Sequence, residues 1–274
     1  MQLPQFEVHA ATEDKHWWFL ARREIVSELL KQISPKPEKI VDVGCGTGGN
    51  TAALASEYSC LGIDPIPEAI AFAKEKFPDA EFIQGYAPQD IQDQMHDADI
   101  VMLMDVLEHI EDDFLFVSEL LSSMKPGAHL LLMAPADPTL WGPHDKGFEH
   151  FRRYTLDRLR LLWKDLPVTE RLVSYCNSRL YPLVKVARMI SRMCGASLGP
   201  NDTDLSLPIA PVNSLFHTIF LSEKKKLVRL FNGESSKGFG FGVSIMAVVR
   251  REEGEITSHK YPSNVEKDAR PWMA

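Results

Sequence analysis

Lys39-Ile40-Val41-Asp42-Val43-Gly44-Cys45-Gly46-Thr47-Gly48-Gly49 is the stretch that decides the fold. Its first half reads as a buried parallel strand, and its second half as a glycine-rich turn that opens a helix near Gly48. Glycines 44, 46 and 48 let the backbone approach a ligand closely, because no Cβ stands in the way. The unpaired N–H groups and positive dipole end of the helix point at the same place. A nucleotide-like cofactor suits such a turn.

The spacing alone leaves two cofactors open. Glycines 44, 46 and 49 also fit G-x-G-x-x-G, and Asp64 ends a second strand, Cys60-Leu61-Gly62-Ile63-Asp64, 20 residues beyond Gly44. A dinucleotide fold places its ribose-binding acid at about that distance. Two features favour S-adenosylmethionine. Asp42 stands two residues before the first glycine, where a carboxylate can face the ammonium of a methionine moiety but would repel a pyrophosphate. The chain after the fourth strand, Met104-Asp105-Val106-Leu107-Glu108-His109-Ile110, offers no evident apparatus for hydride transfer. On these residues the chain resembles the class I S-adenosylmethionine-dependent methyltransferases.

Strands and helices alternate from Lys39 onward, which predicts an α/β fold with helices on both faces of a parallel sheet. Strands are expected near 39–43, 59–63, 80–84, 98–103 and 128–134, and helices near 48–57, 67–77 and 112–124. Lys125-Pro126-Gly127 stops a helix before the fifth strand. Alternation marks a sixth strand over 167–176 and a seventh over 242–250, with about 65 residues between them. The resemblance implies a doubly wound, Rossmann-like seven-stranded sheet whose last strand is antiparallel and slots between the fifth and sixth. The expected division is an N-terminal helical cover (1–38), a core (39–176 and 240–251), a helical insertion (177–239) between strands 6 and 7, and a loosely ordered polar tail (252–274). The N-terminal helix spans about Lys15 to Ile33. The insertion carries two helical stretches around Gly199-Pro200-Asn201-Asp202-Thr203-Asp204.

The formal charge of −8 argues against general nucleic-acid binding, which needs a basic footprint. Cys45, Cys60, Cys176 and Cys194 lack paired spacing, so reduced thiols in a cytoplasmic protein are expected. The N-terminus lacks the order of a secretory signal, and no apolar run reaches the roughly 20 residues of a spanning helix. Oligomeric state is not legible.

For the cofactor, Gly44, Gly46 and Gly48 are expected under the methionine half. Asp64 is expected to accept two hydrogen bonds from the ribose hydroxyls, or else to cap the helix that follows Pro65 and Pro67. The resemblance implies that Gly85-Tyr86-Ala87-Pro88-Gln89-Asp90 edges the adenine, with Ala87 in backbone contact, and that Met104 lies beside the sulfonium. Tyr86, or an aromatic of His16-Trp17-Trp18-Phe19, could close over the cofactor. Arg22 or Arg23 is placed to pair with its carboxylate. Two adjacent tryptophans on one helix cannot both face one core.

Methyl transfer needs the acceptor atom held in line with the methyl group and, for a hydroxyl acceptor, removal of its proton. Asp105, Glu108 and His109 would share one side of a helical turn at i, i+3 and i+4. The run from Trp141 to Tyr154, dense in titratable groups, adds His144 and His150. His109, His150 and His144 are therefore the candidate bases. The acid-x-x-Glu-His pattern resembles that of ubiquinone-type O-methyltransferases. It also resembles small-RNA 2′-O-methyltransferases, where such a cluster holds a divalent cation. That resemblance implies Asp105, Glu108 and His109 as ligands of Mg2+ or another divalent cation, with His144 or His150 able to complete the site, although Asp105 is shorter than the family's Glu. Arg152, Arg153 and Tyr154 either grip an anionic acceptor or pair with acids around a helix capped by Thr155.

In the insertion, Lys185, Arg188 and Arg192 share one helical face while apolar residues fill the others. This is either a membrane-surface helix beside a lipid-linked acceptor or a capping helix with a solvated basic stripe. The expected function is methylation of a hydroxylated small-molecule, sugar or lipid-linked acceptor. N- or C-methylation of a small metabolite, and a non-catalytic S-adenosylmethionine-binding partner protein, stay open as alternatives.

Overall fold

A computed structural model describes residues 3–33, 39–194 and 205–257. The loop 199–204 and most of the tail 252–274 lie outside the described residues. In chain order the helices are α1 (Leu3–Thr12), α2 (Trp17–Ile33), α3 (Gly49–Leu54), α4 (Pro67–Lys76), α5 (Gln92–Asp97), α6 (Asp113–Ser123), α7 (Pro143–Gly147), α8 (Leu156–Arg160), α9 (Tyr181–Cys194), α10 (Ala210–Leu221) and α11 (Lys224–Phe231). The strands are β1 (Lys39–Val43), β2 (Ser59–Asp64), β3 (Glu81–Gln84), β4 (Ile100–Met104), β5 (His129–Pro135), β6 (Val168–Cys176) and β7 (Ser244–Arg251). They form one sheet in the order β3-β2-β1-β4-β5-β7-β6, with β7 antiparallel to both of its neighbours. The expected seven-stranded, doubly wound architecture is the one observed. β1 sits where the strand order reverses, so the crevice beyond its carboxyl end is the natural ligand site.

Alternation along the strands sorts two layers. Val41, Val101, Leu103, Leu130 and Leu132 pack with Met95 of α5, Phe114 and Leu121 of α6 and Leu159 of α8. Ile40, Ile100, Met102, Leu131 and Met133 face the other way, onto Ile25 and Leu29 of α2, Phe220 of α10 and Leu227 and Phe231 of α11. The segments expected as covers thus furnish much of the second layer of the sandwich. Their physical reason is plain: β4, buried at every position, needs apolar cover on both faces. Trp17 packs edge-on against Phe216 and Phe220 of α10, while Trp18 lies under the Arg22 guanidinium, so the two tryptophans do separate.

Some elements depart from expectation. α1 and α5 were not foreseen, α3 ends at Leu54 rather than near 57, and the insertion holds three described helices instead of two. The helical turn expected from Asp105 does not form. Asp105 adopts φ 62°, and only a 3-10 turn over Leu107–His109 follows, so Asp105 does not share a helical side with Glu108 and His109.

Candidate functional site

The glycine turn is held by backbone geometry that needs glycine. Gly44 has φ 71°, and a Cβ there would come within 2.5 Å of Val106. Gly48, at φ 86°, caps α3 and would meet Phe82 at 2.6 Å. Asp64 lashes the turn to the next loop: its carboxylate accepts the N–H of Gly46 at 3.0 Å and of Ile66 at 2.9 Å. It therefore caps the approach to α4, with burial pushing its carboxyl up in pKa. Asp42 is 1% exposed, and its Oδ2 accepts the Thr51 hydroxyl at 2.7 Å. Its Oδ1 finds no partner among the described residues, and burial pushes the carboxyl up to about 6. A buried oxygen without a donor costs free energy, which a cationic or N–H-bearing ligand in the crevice would relieve.

The N-terminal helices close directly on this turn. His9 Nδ1 lies 2.9 Å from the Thr47 hydroxyl. Glu13, 2% exposed, accepts the N–H of Gly49 at 3.1 Å and the Lys76 ammonium at 3.0 Å. The carboxylate thus sits on the positive end of α3, where the helix dipole favours it. Neither His9 nor Glu13 carries a sequence signal, since their roles depend on how α1 folds back. Arg22 ion-pairs with Asp105, its second amino group is 3.4 Å from Asn50, and its guanidinium lies 4.3 Å from the Trp18 ring. Ala87 is buried beside the exposed Tyr86. Met104 borders a cavity of about 280 Å³ between α2 and α3, lined also by Arg23, Asn50, Met102 and Lys224. None of Gly44, Gly46, Asp64 or His109 lines that cavity.

Beyond β4 the chain gathers a second cluster. The rings of His109 and His150 stand 4.7 Å apart at 86°, and His144 lies 6.0 Å from His150. His150 Nδ1 is 3.2 Å from Oδ1 of Asp145, a fully buried carboxylate. Asp145 also accepts from Arg153 Nε at 2.8 Å, from Arg188 at 3.2 Å and from the N–H of Gly142 at 2.8 Å. Burial alone would raise its pKa, but Arg153, the His150 hydrogen bond and Arg188 outweigh burial and hold it far below the usual carboxylate range. Burial lowers the pKa of all three histidines, aided at His109 by His150 and at His144 by Arg188. They are therefore neutral at pH 7.

Glu108 is 1% exposed, with Oε2 unpartnered among the described residues, and burial followed by Asp105 pushes its pKa well up. One ligand atom each from Glu108, His109 and His150 lies within 4.8 Å of the others. Asp105 stands outside that group, because its left-handed backbone turns it to Arg22. Of the expected ligands, then, the structure brings Glu108 and His109 together with His150 in place of Asp105.

Arg152 and Arg153 of this loop are satisfied internally. Arg152 donates to the carbonyls of Ile110 and Glu111, and Arg153 to Ala136 as well as Asp145. The Tyr154 hydroxyl donates to Asp113 at 2.7 Å, and Thr155 caps α8 through the Arg158 N–H. Asp145 and Arg188 were not singled out as a pair in the sequence, where Arg188 reads only as one of three cations on an otherwise apolar helix.

The sheet order and the glycine turn define a class I S-adenosylmethionine-dependent methyltransferase fold. A family model described as a methyltransferase domain matches residues 16–179, and the chain belongs to that family. Norajmaline N-methyltransferase of Rauvolfia serpentina is 28% identical over 115 residues, covering 39% of this chain and 39% of that protein. Ubiquinone biosynthesis O-methyltransferase of Coxiella burnetii is 33% identical over 106 residues, covering 37% of this chain and 45% of that protein. The chain spans less than half the length of these curated relatives. The solved structure of the plantazolicin methyltransferase BamL, in complex with a triazolic desmethylPZN analog and SAH, aligns at TM-score 0.54 and 15% identity over 90% of each chain. At that identity the likeness is one of fold.

Proposed function

We propose that the protein transfers a methyl group from S-adenosylmethionine to a hydroxyl oxygen of a small-molecule, sugar or lipid-linked acceptor, with His109 and His150 as the proton-accepting groups. The observation that carries this reading is the Asp145–His150–His109 array at the carboxyl edge of the sheet. Because Asp145 is ionised, His150 donates Nδ1–H to it and keeps the lone pair on Nε2. His109 donates to the Phe148 carbonyl and likewise keeps one nitrogen free to accept. A proton leaving the acceptor oxygen has an imidazole to go to.

The cofactor residues fit their expected group. Asp42 offers its lone Oδ1 to an ammonium, Asp64 its carboxylate to ribose hydroxyls, and Gly44, Gly46 and Gly48 their open backbone. Ala87 would meet the adenine edge. Met104 would stand at the sulfonium end of the site. Arg22 would meet a methionine carboxylate while ion-paired with Asp105, its Nε having no partner among the described residues. S-adenosylmethionine supplies a methyl group on positively charged sulfur, so the C–S bond breaks toward sulfur as the acceptor oxygen bonds to carbon.

A second reading has one observation of its own. The unpartnered Glu108 Oε2, with His109 and His150 beside it, is a carboxylate–imidazole set suited to a divalent transition metal more than to Mg2+, which prefers oxygen and water. A metal there would lower the pKa of an acceptor hydroxyl. The two readings compete at His109, whose free nitrogen cannot both bind a metal and take a proton.

Calorimetric titration of metal-stripped protein with S-adenosylhomocysteine, with NAD as control, tests the cofactor. Micromolar binding of the first alone is expected, and binding of NAD instead overturns the reading. An acceptor screen follows with H109A and H150A, each expected to lose about 100-fold or more in turnover. Turnover abolished by a chelator and restored by manganese favours the cation. A product methylated on nitrogen or carbon overturns the hydroxyl acceptor. Variants that alter neither turnover nor cofactor affinity point to a non-catalytic binding protein.

A further inference from the structure

Helix α9 is inverted relative to an ordinary surface helix. Leu183, Val186, Met189, Ile190 and Met193 are between 50% and 82% exposed. At helical spacing they form one stripe about 120° wide. Of the ten large apolar side chains left exposed among the described residues, nine lie between Leu183 and Phe241; Tyr86 is the tenth. Arg188, expected in a solvated basic stripe, is instead buried against Asp145, and Lys185 and Arg192 remain exposed along one border of the apolar stripe.

Charge identifies what this face fits. α9 has three cations and no carboxylate. With Arg188 paired inside, the exposed charge of the helix is Lys185 and Arg192, in a chain whose formal charge is −8. A patch that is both apolar and locally cationic on an acidic protein matches a surface that is apolar beneath and anionic above. At 14 residues, α9 is about 21 Å long, too short to span a bilayer but suited to lying in its interface. A second copy of this chain would bring cation against cation on the same stripe.

We propose that the outer face of α9 docks the protein on an anionic membrane surface, with Leu183, Val186, Met189, Ile190 and Met193 entering the headgroup boundary and Lys185 and Arg192 meeting lipid phosphates. The opposite side of the helix reaches the candidate catalytic cluster through the Arg188–Asp145 ion pair, which places that cluster one helix diameter from the lipid. A lipid-anchored acceptor follows, an extension that rests on the methyltransferase reading; the docking itself does not.

The test is flotation of the full chain with vesicles of phosphatidylglycerol and phosphatidylcholine, against vesicles of phosphatidylcholine alone. Binding to the anionic vesicles, weakened by added salt, is expected. Leu183→Asp with Met193→Asp should cut the bound fraction roughly tenfold or more. Lys185→Glu with Arg192→Glu should abolish the preference for anionic lipid. Unchanged far-ultraviolet circular dichroism and unchanged S-adenosylhomocysteine affinity in these variants establish that they fold. Failure of the unaltered chain to float with anionic vesicles overturns the proposal. So does a concentration-dependent dimer, seen by sedimentation, that Leu183→Asp with Met193→Asp converts to monomer. Protein that floats yet binds no S-adenosylhomocysteine keeps the docking surface and sinks the enzyme reading instead.

Discussion

Buried carboxylates at the two edges of the crevice are treated in opposite ways. At the glycine turn, Asp42 and Asp64 are pushed up in pKa by burial, and Asp42 keeps an oxygen with no donor among the described residues. At the histidine cluster, Asp145 is held down by two guanidiniums and satisfied by four donors. The difference separates a group that is incomplete without a ligand from one that is complete without it. Asp42 has negative charge to spare for a cation arriving from outside. Asp145 has spent its charge on the protein, and what it offers is the orientation of His150.

Removing Asp145 gives the largest expected effect. Asp145→Ala leaves Arg153 and Arg188 buried without their partner and should cost about 3–5 kcal/mol of unfolding free energy in urea denaturation. A loss under 1 kcal/mol would mean that the two arginines find other partners, and the scaffold role would lapse. Gly44→Ala comes next, at about 2–4 kcal/mol, from the left-handed backbone and the contact with Val106. It should also abolish S-adenosylhomocysteine binding, whereas any folded Asp145 variant should retain it. Asp64→Ala should weaken that binding by about 1–3 kcal/mol while also freeing the Gly46 and Ile66 amides. Unchanged titration heats would leave Asp64 with its capping role alone.

The smaller effects are read through pH. Pairing with an ammonium requires Asp42 to be ionised, and its pKa in the free protein is about 6. Affinity for S-adenosylhomocysteine should therefore be level above pH 6 and fall by up to about tenfold per unit below it. Asp42→Asn should be weaker throughout and flat over the same range. Stability carries a separate dependence. His16 is held to about 4 and His9 to about 3, both first by burial, so below pH 6.5 the unfolded chain binds protons that the native state refuses. Each should contribute a loss of up to about 1.4 kcal/mol per unit as pH falls from 6.5 toward 4. Asp42 acts the other way, because its raised pKa makes the native state the better proton binder between 3.8 and about 6. H16N should flatten the acid side of a thermal-melt profile; a profile identical to that of the unaltered chain would remove His16 from the account.

Legibility followed the same divide. The glycine turn, Asp42 and Asp64 were readable because strand, turn and helix are consecutive, so local residues dictate the geometry. The central parallel strands β1, β4 and β5 were readable because strands buried on both faces show as apolar runs, and β6 was readable from its alternation. The acceptor edge was readable as a set of residue types but not as an arrangement. His109, Asp145, His150 and Arg188 come from three segments, and only the folded chain decides which cation meets Asp145. Asp105 illustrates the limit: i, i+3, i+4 spacing places side chains together only if the backbone is helical, and φ 62° takes that residue elsewhere. The ion pair between Arg188 and Asp145 likewise takes Arg188 out of the basic stripe expected on α9, since it turns that cation inward.

The packing of α2 has a consequence for how the chain is made. Its apolar residues Ile25, Leu29 and Leu30 rest in one cluster with Phe220 of α10 and with Met246 and Val248 of β7. About 200 residues separate the two sides of that contact, so at 5–20 residues per second a ribosome needs roughly 10–40 s to deliver the partners. Over that interval the part of the α2 apolar face that meets α10 and β7 stays uncovered, even after β1 and β4 have been made. Newly made protein is therefore exposed to chaperone capture and to aggregation until the last strand is inserted between its neighbours.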